Sequence, residues 1–308
     1  MNNSFSIKTI LLLFTLGALM LPEGALAKTK EDITHITYDL GELSRPVGLK
    51  GSVASIVEKS WDWNTSFGEY TQADCVDSTT YIFDNNGRYQ SIVYSDDSHD
   101  TYYYNDNGKI SKISYFQAND ETTGFKEFVY QGNLLKYVNT YSISEQNQSS
   151  LTHKTRVARS GSIVTVYDYD GNGEEKGWNK LNLKTLVGID SKDARFKFNS
   201  RRQQTYVEQT VNTWGQSLTI FDKCTFDANG NPTTELSGVS ANDRGYRSSK
   251  STSIKWIYKF DAKGNWIIKK KYKDGELQYW RTRSITYRAN SQGGTSKKKY
   301  ANSRTRRK

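Results

Sequence analysis

From about residue 53 the chain alternates large apolar and polar residues with a period of two, most clearly between Trp256 and Tyr272. Ile254, Trp256, Tyr258 and Phe260 take every second position, while Lys255, Lys259 and Asp261 fall on the opposite face. This is the alternation of a strand with one buried side. Asp261 can accept backbone N–H groups two or three residues on, and Gly264 can take positive φ without a Cβ clash, so a turn follows. The chain returns with Trp266, Ile268 and Tyr272 on one face and Lys269 and Lys271 on the other, completing a β-hairpin, and Asp274-Gly275 marks another reversal.

The turn spelling, an aromatic followed by Asp or Asn, two residues and Gly, marks five separate turns. Its Asx and glycine members are Asp84 and Gly87, Asn105 and Gly108, Asp170 and Gly173, Asp227 and Gly230, and Asp261 and Gly264. Asn precedes the glycine in four of the five copies, a strong short-range hairpin signal in which both residues tolerate left-handed backbone. Each hairpin lends an apolar face to the next. The predicted fold is all-β, an elongated antiparallel sheet or meander of stacked hairpin repeats. Thr79, Tyr81 and Phe83 enter the first turn, and Gln90, Ile92 and Tyr94 leave it. The pattern weakens at Leu181, Leu183 and Leu186, and 193–204 and 241–253 read as polar loops.

The repeat resembles the YD repeat of bacterial RHS-type proteins, and Val47–Lys59 is similar to the opening of small secreted proteins that carry such repeats. The resemblance implies strands wound into an extended sheet or shell, exported from the cell. Large RHS proteins place a toxin domain after the shell, and nothing long enough for one follows Tyr287.

Residues 1–27 carry Lys8, the apolar run Ile10–Leu21 and Ala25-Leu26-Ala27, the parts of a secretory signal peptide. That run is shorter than the roughly 20 residues a spanning helix needs. The expected organisation continues with an opening segment of the array over 28–74, the repeat region over 75–290, and a basic tail over 291–308. Periplasm, cell surface or medium is the expected location, with no transmembrane helix in the mature chain.

Composition sharpens the picture. With 21 Tyr, 12 Phe and 7 Trp against only 35% hydrophobic residues, the sheet must be thin and covered by amphipathic rings. Trp61, Trp63, Trp256, Trp266 and Trp280 are the candidate binding aromatics for a glycan or protein partner. The net charge of +10 is concentrated at the C-terminus, where Lys297, Lys298, Lys299, Arg304, Arg306, Arg307 and Lys308 suit a tether to an anionic surface. Nucleic acid would attract the same charge, but export and the lack of a recognition fold argue against it.

No nucleophile elbow, zinc-protease helix or phosphate loop occurs, and His35, His99 and His153 stand apart, so no enzyme activity and no cofactor are expected. Asp168, Asp170 and Asn172 match the first half of a calcium loop, yet position twelve is Asn179, and the same residues form a regular repeat turn. Asp96, Asp97, His99 and Asp100 read as a solvated hairpin loop. Cys75 and Cys224 either pair or remain thiols. A purely structural shell and, more remotely, a glycan hydrolase with two converging carboxylates are the other functional classes.

Overall fold

The computed structural model describes residues 49–289 other than 120, 191, 193, 201, 202, 214, 215, 244 and 245. The expected signal peptide and basic tail lie outside these residues. The described chain forms eighteen strands. The first nine are β1 (Val53–Ser66), β2 (Glu69–Phe83), β3 (Tyr89–Tyr94), β4 (His99–Tyr104), β5 (Ile110–Gln117), β6 (Thr122–Gln131), β7 (Leu134–Ile143), β8 (Ser149–Ser160) and β9 (Ile163–Asp170). They are followed by β10 (Glu175–Asn182), β11 (Val187–Asp190), β12 (Arg195–Phe198), β13 (Gln204–Thr213), β14 (Gln216–Phe226), β15 (Pro232–Asp243), β16 (Tyr246–Phe260), β17 (Trp266–Lys273) and β18 (Glu276–Tyr287).

Every strand pairs antiparallel with its neighbours in sequence, and β1 pairs with β18 from Val53↔Tyr287 to Ser60↔Arg281. The sheet is therefore a closed β-barrel, not the elongated open meander expected from the repeats. Closure also corrects the RHS-type resemblance: the short repeat describes hairpins that end in a ring. Closing removes both sheet edges, which otherwise expose a row of unpaired backbone groups.

Facing strands are predicted to share sides residue by residue, and the register fixes which side is inside. Val138, Val166 and Leu181 are 0% exposed, and Ile56 and Val164 1%. In a single closed sheet only the inner face can be so covered, so these residues and their direct cross-strand partners point inward. The inward apolar residues crowd one end, where even-numbered strands finish: Val53 opens β1, Phe83 ends β2, Ile110 opens β5 and Phe198 ends β12, all in one buried cluster. Each such side chain stabilises by about 1.5–3 kcal/mol on burial. Towards the other end the inward positions turn polar, with Thr79, Asp100, Lys126, Thr140, His153, Asp168 and Asn179.

The segments read as loops contribute strands. Phe196 and Phe198 of β12 are 9% and 8% exposed, so the basic run containing Arg195 and Lys197 is an amphipathic strand. Residues 241–243 likewise fall within β15 and residues 246–253 within β16, whose Ser- and Thr-rich pairing hides the apolar alternation that marks strands elsewhere.

The repeat turns behave as one device. Asp84 Oδ1 accepts the amides of Asn86 and Arg88, both at 2.9 Å, and Asn105, Asp170, Asp227 and Asp261 repeat this two-amide grip. The five glycines take φ of 73–84°, while the residue before each does not turn left-handed. The turn is thus a three-residue type I turn closed by a left-handed glycine, rather than two left-handed residues in succession. Four copies share the even-strand end, and only Asp170 lies at the other. Asp190 grips Lys192 and Ala194 in the same way, and Asn199 Oδ1 takes the amide of Gln203, both without glycine, which is why the spelling missed them.

The seam between β1 and β18 is held by side chains as well as backbone. Glu58, 5% exposed, receives Nη1 of Arg281 and, at 2.8 Å, Nε of Arg283, its direct partner across the seam. Burial pushes the Glu58 carboxyl up, but Arg283 and Arg281 outweigh it and hold the group below the usual carboxylate range. At the even-strand end Asn265, 3% exposed, accepts Lys50 N at 2.7 Å and donates to Lys50 O and Tyr287 Oη. The last repeat turn therefore clamps the lead-in to β1 against the end of β18.

Candidate functional site: the outer wall

Between the bulges that interrupt several of their pairings, β4 to β14 bring outward side chains of neighbouring strands side by side. Tyr103 of β4 faces Lys112 of β5, whose ammonium lies 5.9 Å from that ring and 4.4 Å from the ring of Phe125 on β6. Phe125 stacks on Tyr141 of β7 with centroids 4.7 Å apart. Further round, Lys154 of β8 lies 4.7 Å from the Tyr137 ring, and Arg156 lies 4.4 Å from Tyr167 of β9. Tyr167 faces Trp178 of β10, with Lys180 at 5.1 Å from the indole. Tyr206 of β13 then sits between Lys197 of β12 at 5.3 Å and Lys223 of β14 at 5.8 Å.

Each contact of a cation with an exposed ring is worth about 0.5–1 kcal/mol, enough to hold a long side chain against the wall without neutralising it. Among the described residues Lys112, Lys154, Lys180, Lys197 and Lys223 make no ion pair. With strands about 4.8 Å apart, cations on every second or third strand recur roughly every 10–14 Å around the barrel. A mid-strand Lys or Arg on a lipid-facing barrel wall costs about 2–4 kcal/mol. A wall that carries this many would be costly to place against lipid.

The structure divides the five candidate tryptophans between the two faces. Trp61 donates to Thr282 Oγ1 at 2.8 Å on the outside, and Trp280 lies outside beneath the Lys270 ammonium at 3.4 Å. Trp63 follows two residues after Trp61, where β1 and β2 pair irregularly. Trp256 and Trp266 face inward, Trp256 donating to Glu235 at 2.7 Å and Trp266 covered by the Arg283 guanidinium at 3.6 Å. A bulge between Lys259 and Phe260 and their partners breaks the alternation after the turn. Lys269 and Lys271, read in sequence as opposite Trp266, therefore point inward with it. No single face gathers all five rings, and the wall's tyrosines and phenylalanines take the larger share.

The other candidates stay apart. Asp168 accepts Thr155 Oγ1 at 3.0 Å, whereas Asp170 grips its own turn and Lys176 at 3.0 Å, so the two carboxylates do not converge. Asp96 caps the turn amide of Ser98, while Asp100 on β4 accepts Tyr94 Oη at 3.0 Å. Burial holds the Asp100 carboxyl above its usual range. Cys75 on β2 and Cys224 on β14 are thiols, each near a backbone carbonyl. The basic tail lies outside the described residues.

Fold and wall together define a closed, eighteen-stranded antiparallel barrel with a cation-bearing aromatic exterior. No family model and no curated protein matches the chain, so the RHS-type assignment has no family support. Among solved structures, a porin-like protein from Bacteroides uniformis is 10% identical and covers 77% of this chain and 99% of that one, at a TM-score of 0.38. A porin-like protein from Bacteroides vulgatus is 9% identical with the same coverage and TM-score 0.38. The TcdB2–TccC3 structure is 10% identical over 71% of this chain and 15% of that one, at a TM-score of 0.26.

Proposed function

We propose that the protein is exported and that its outer wall binds an acidic polysaccharide of the cell envelope or exterior, without catalysing a reaction. The observation that carries this reading is the row of ring-supported, unpaired cations across β4 to β14. Rings between the cations offer flat apolar faces to the C–H surfaces of sugars, while the cations meet carboxylates or sulfates. The leader-like residues 1–27 support export, and the basic tail carries the same sign of charge as the wall.

The test is affinity electrophoresis of residues 28–308 through gels containing polygalacturonate or neutral dextran. A companion chain carries Lys112→Gln, Lys154→Gln, Arg156→Gln and Lys180→Gln together, and another ends at Ser296. Retardation by polygalacturonate alone, weakened at least tenfold in the quadruple variant and progressively lost with salt, is the expected result. Equal retardation by dextran, or an unchanged quadruple variant, overturns the reading. Loss on tail removal alone would move the binding from the wall to the tail.

A further inference from the structure

The inner face of the seam carries a second charged cluster that the outer wall does not use. Register places Trp256 of β16 beside Lys271 of β17, Lys269 beside Arg281 of β18, and Arg281 and Arg283 beside Ser60 and Glu58 of β1. Four cations thus meet the carboxylates of Glu58 and Glu235, with Asp77 further along β2 opposite Ser60. Both carboxylates are committed: Glu58 to the two arginines, and Glu235 to Trp256 at 2.7 Å and Lys271 at 3.5 Å.

Lys269 is left over. Its ammonium lies 4.2 Å from the Trp256 ring and 5.9 Å from the Trp266 ring, and among the described residues it pairs with no carboxylate. Burial draws its pKa down to about 8; Glu58 pulls it back up, while Arg283 and Arg281 push it further down. An unpaired, half-buried cation beside two guanidinium groups is costly to keep, and the simplest way to relieve the cost is a bound anion. Water reaches the cluster, since the side chains of Lys271, Arg281 and Arg283 are 21%, 24% and 17% exposed. Ser60 and Thr79 line the inward positions of β1 and β2 on the way towards the polar end.

We infer that this inner cluster is a binding site for one small oxyanion, a sulfate, phosphate or sugar carboxylate, held chiefly by the Lys269 ammonium with Lys271 and Arg281 at its sides. The bound group supplies the counter-charge that the chain omits. The site is separate from the outer wall and does not depend on it.

The experiment is calorimetric titration of residues 28–308 with sulfate, phosphate and galacturonate at constant ionic strength in chloride, near pH 7. Lys269→Met and Lys269→Gln are compared with the outer quadruple variant. Saturable binding at or below about 1 mM, weakened at least tenfold in both Lys269 variants and unchanged in the outer variant, is expected. Preference among the three anions identifies which source the site serves. Lys269→Met removes a desolvated charge and should fold at least as well as the parent, so its loss of binding is interpretable. Binding that is equal in the Lys269 variants, or absent in the parent at millimolar anion, overturns the proposal.

Discussion

Removing the Glu58 carboxylate should loosen the barrel at its seam. Glu58 is 5% exposed and its two oxygens serve Arg281 and Arg283, so Glu58→Ala leaves two guanidinium groups facing each other without a counter-ion. Deleting one partner of a buried ion pair typically costs about 3–5 kcal/mol. The lower end applies here, because Arg281 keeps Ser60 Oγ at 3.0 Å, Arg283 keeps the Trp266 ring at 3.6 Å, and both reach some solvent. With a urea m-value of about 3 kcal/mol/M, a cost of about 3 kcal/mol shifts the midpoint down by roughly 1 M. The double variant Glu58→Ala/Arg283→Ala should lose clearly less than the sum of the singles. The pH dependence checks the sign. A carboxyl depressed in the fold contributes stability above its unfolded pKa and loses it as pH falls through the folded value. The parent should therefore lose stability below about pH 4.5, and Glu58→Ala should lack that part of the slope. A midpoint within 0.2 M of the parent, roughly 0.6 kcal/mol at that slope, would refute the role of Glu58 in holding the seam.

Alkaline stability should rise and then fall. Lys269 titrates near 8 in the fold against 10.5 unfolded, so the unfolded chain binds more protons between these values and stability grows with pH there. Tyr81, pushed up by burial to about 12, reverses the sign above pH 10, and Lys269→Met should flatten the rising limb in urea titrations across pH 7–11, with Lys270, also lowered by burial, supplying what remains. Gly188→Ala should destabilise by about 1–3 kcal/mol through overpacking, because an added Cβ would stand 1.8 Å from the Phe196 ring. Gly188→Ala combined with Phe196→Leu should recover part of that loss in the same melts. Asn265→Ala should cost about 1–3 kcal/mol by leaving Lys50 N, Lys50 O and Tyr287 short of partners. Faster hydrogen exchange at β1 and β18 than at β6 and β7 would show that the loss lies at the seam.

The wall was only partly legible in the sequence. Single cations such as Lys112 and Lys180 look like ordinary solvated charges until register sets each beside a ring from another strand. Arg281 and Arg283 carried a faint signal, since they occupy the same alternation as Ile285 and Tyr287 and so fall on the inward face. Trp266 was misplaced because one bulge shifts every later residue to the other side.

The amino-acid sequence alone determined what is local: strands of alternating character, and turns in which an Asx oxygen takes two amides and a glycine accepts positive φ. Those depend on neighbours a few residues apart. Only the tertiary structure decided that the sheet closes, because β1 meets β18 across more than 200 residues and nothing in a period of two encodes curvature or strand number. Closure in turn decided which face is inside. With it came the division between cations spread on the outer wall and the crowded charge around Lys269 within.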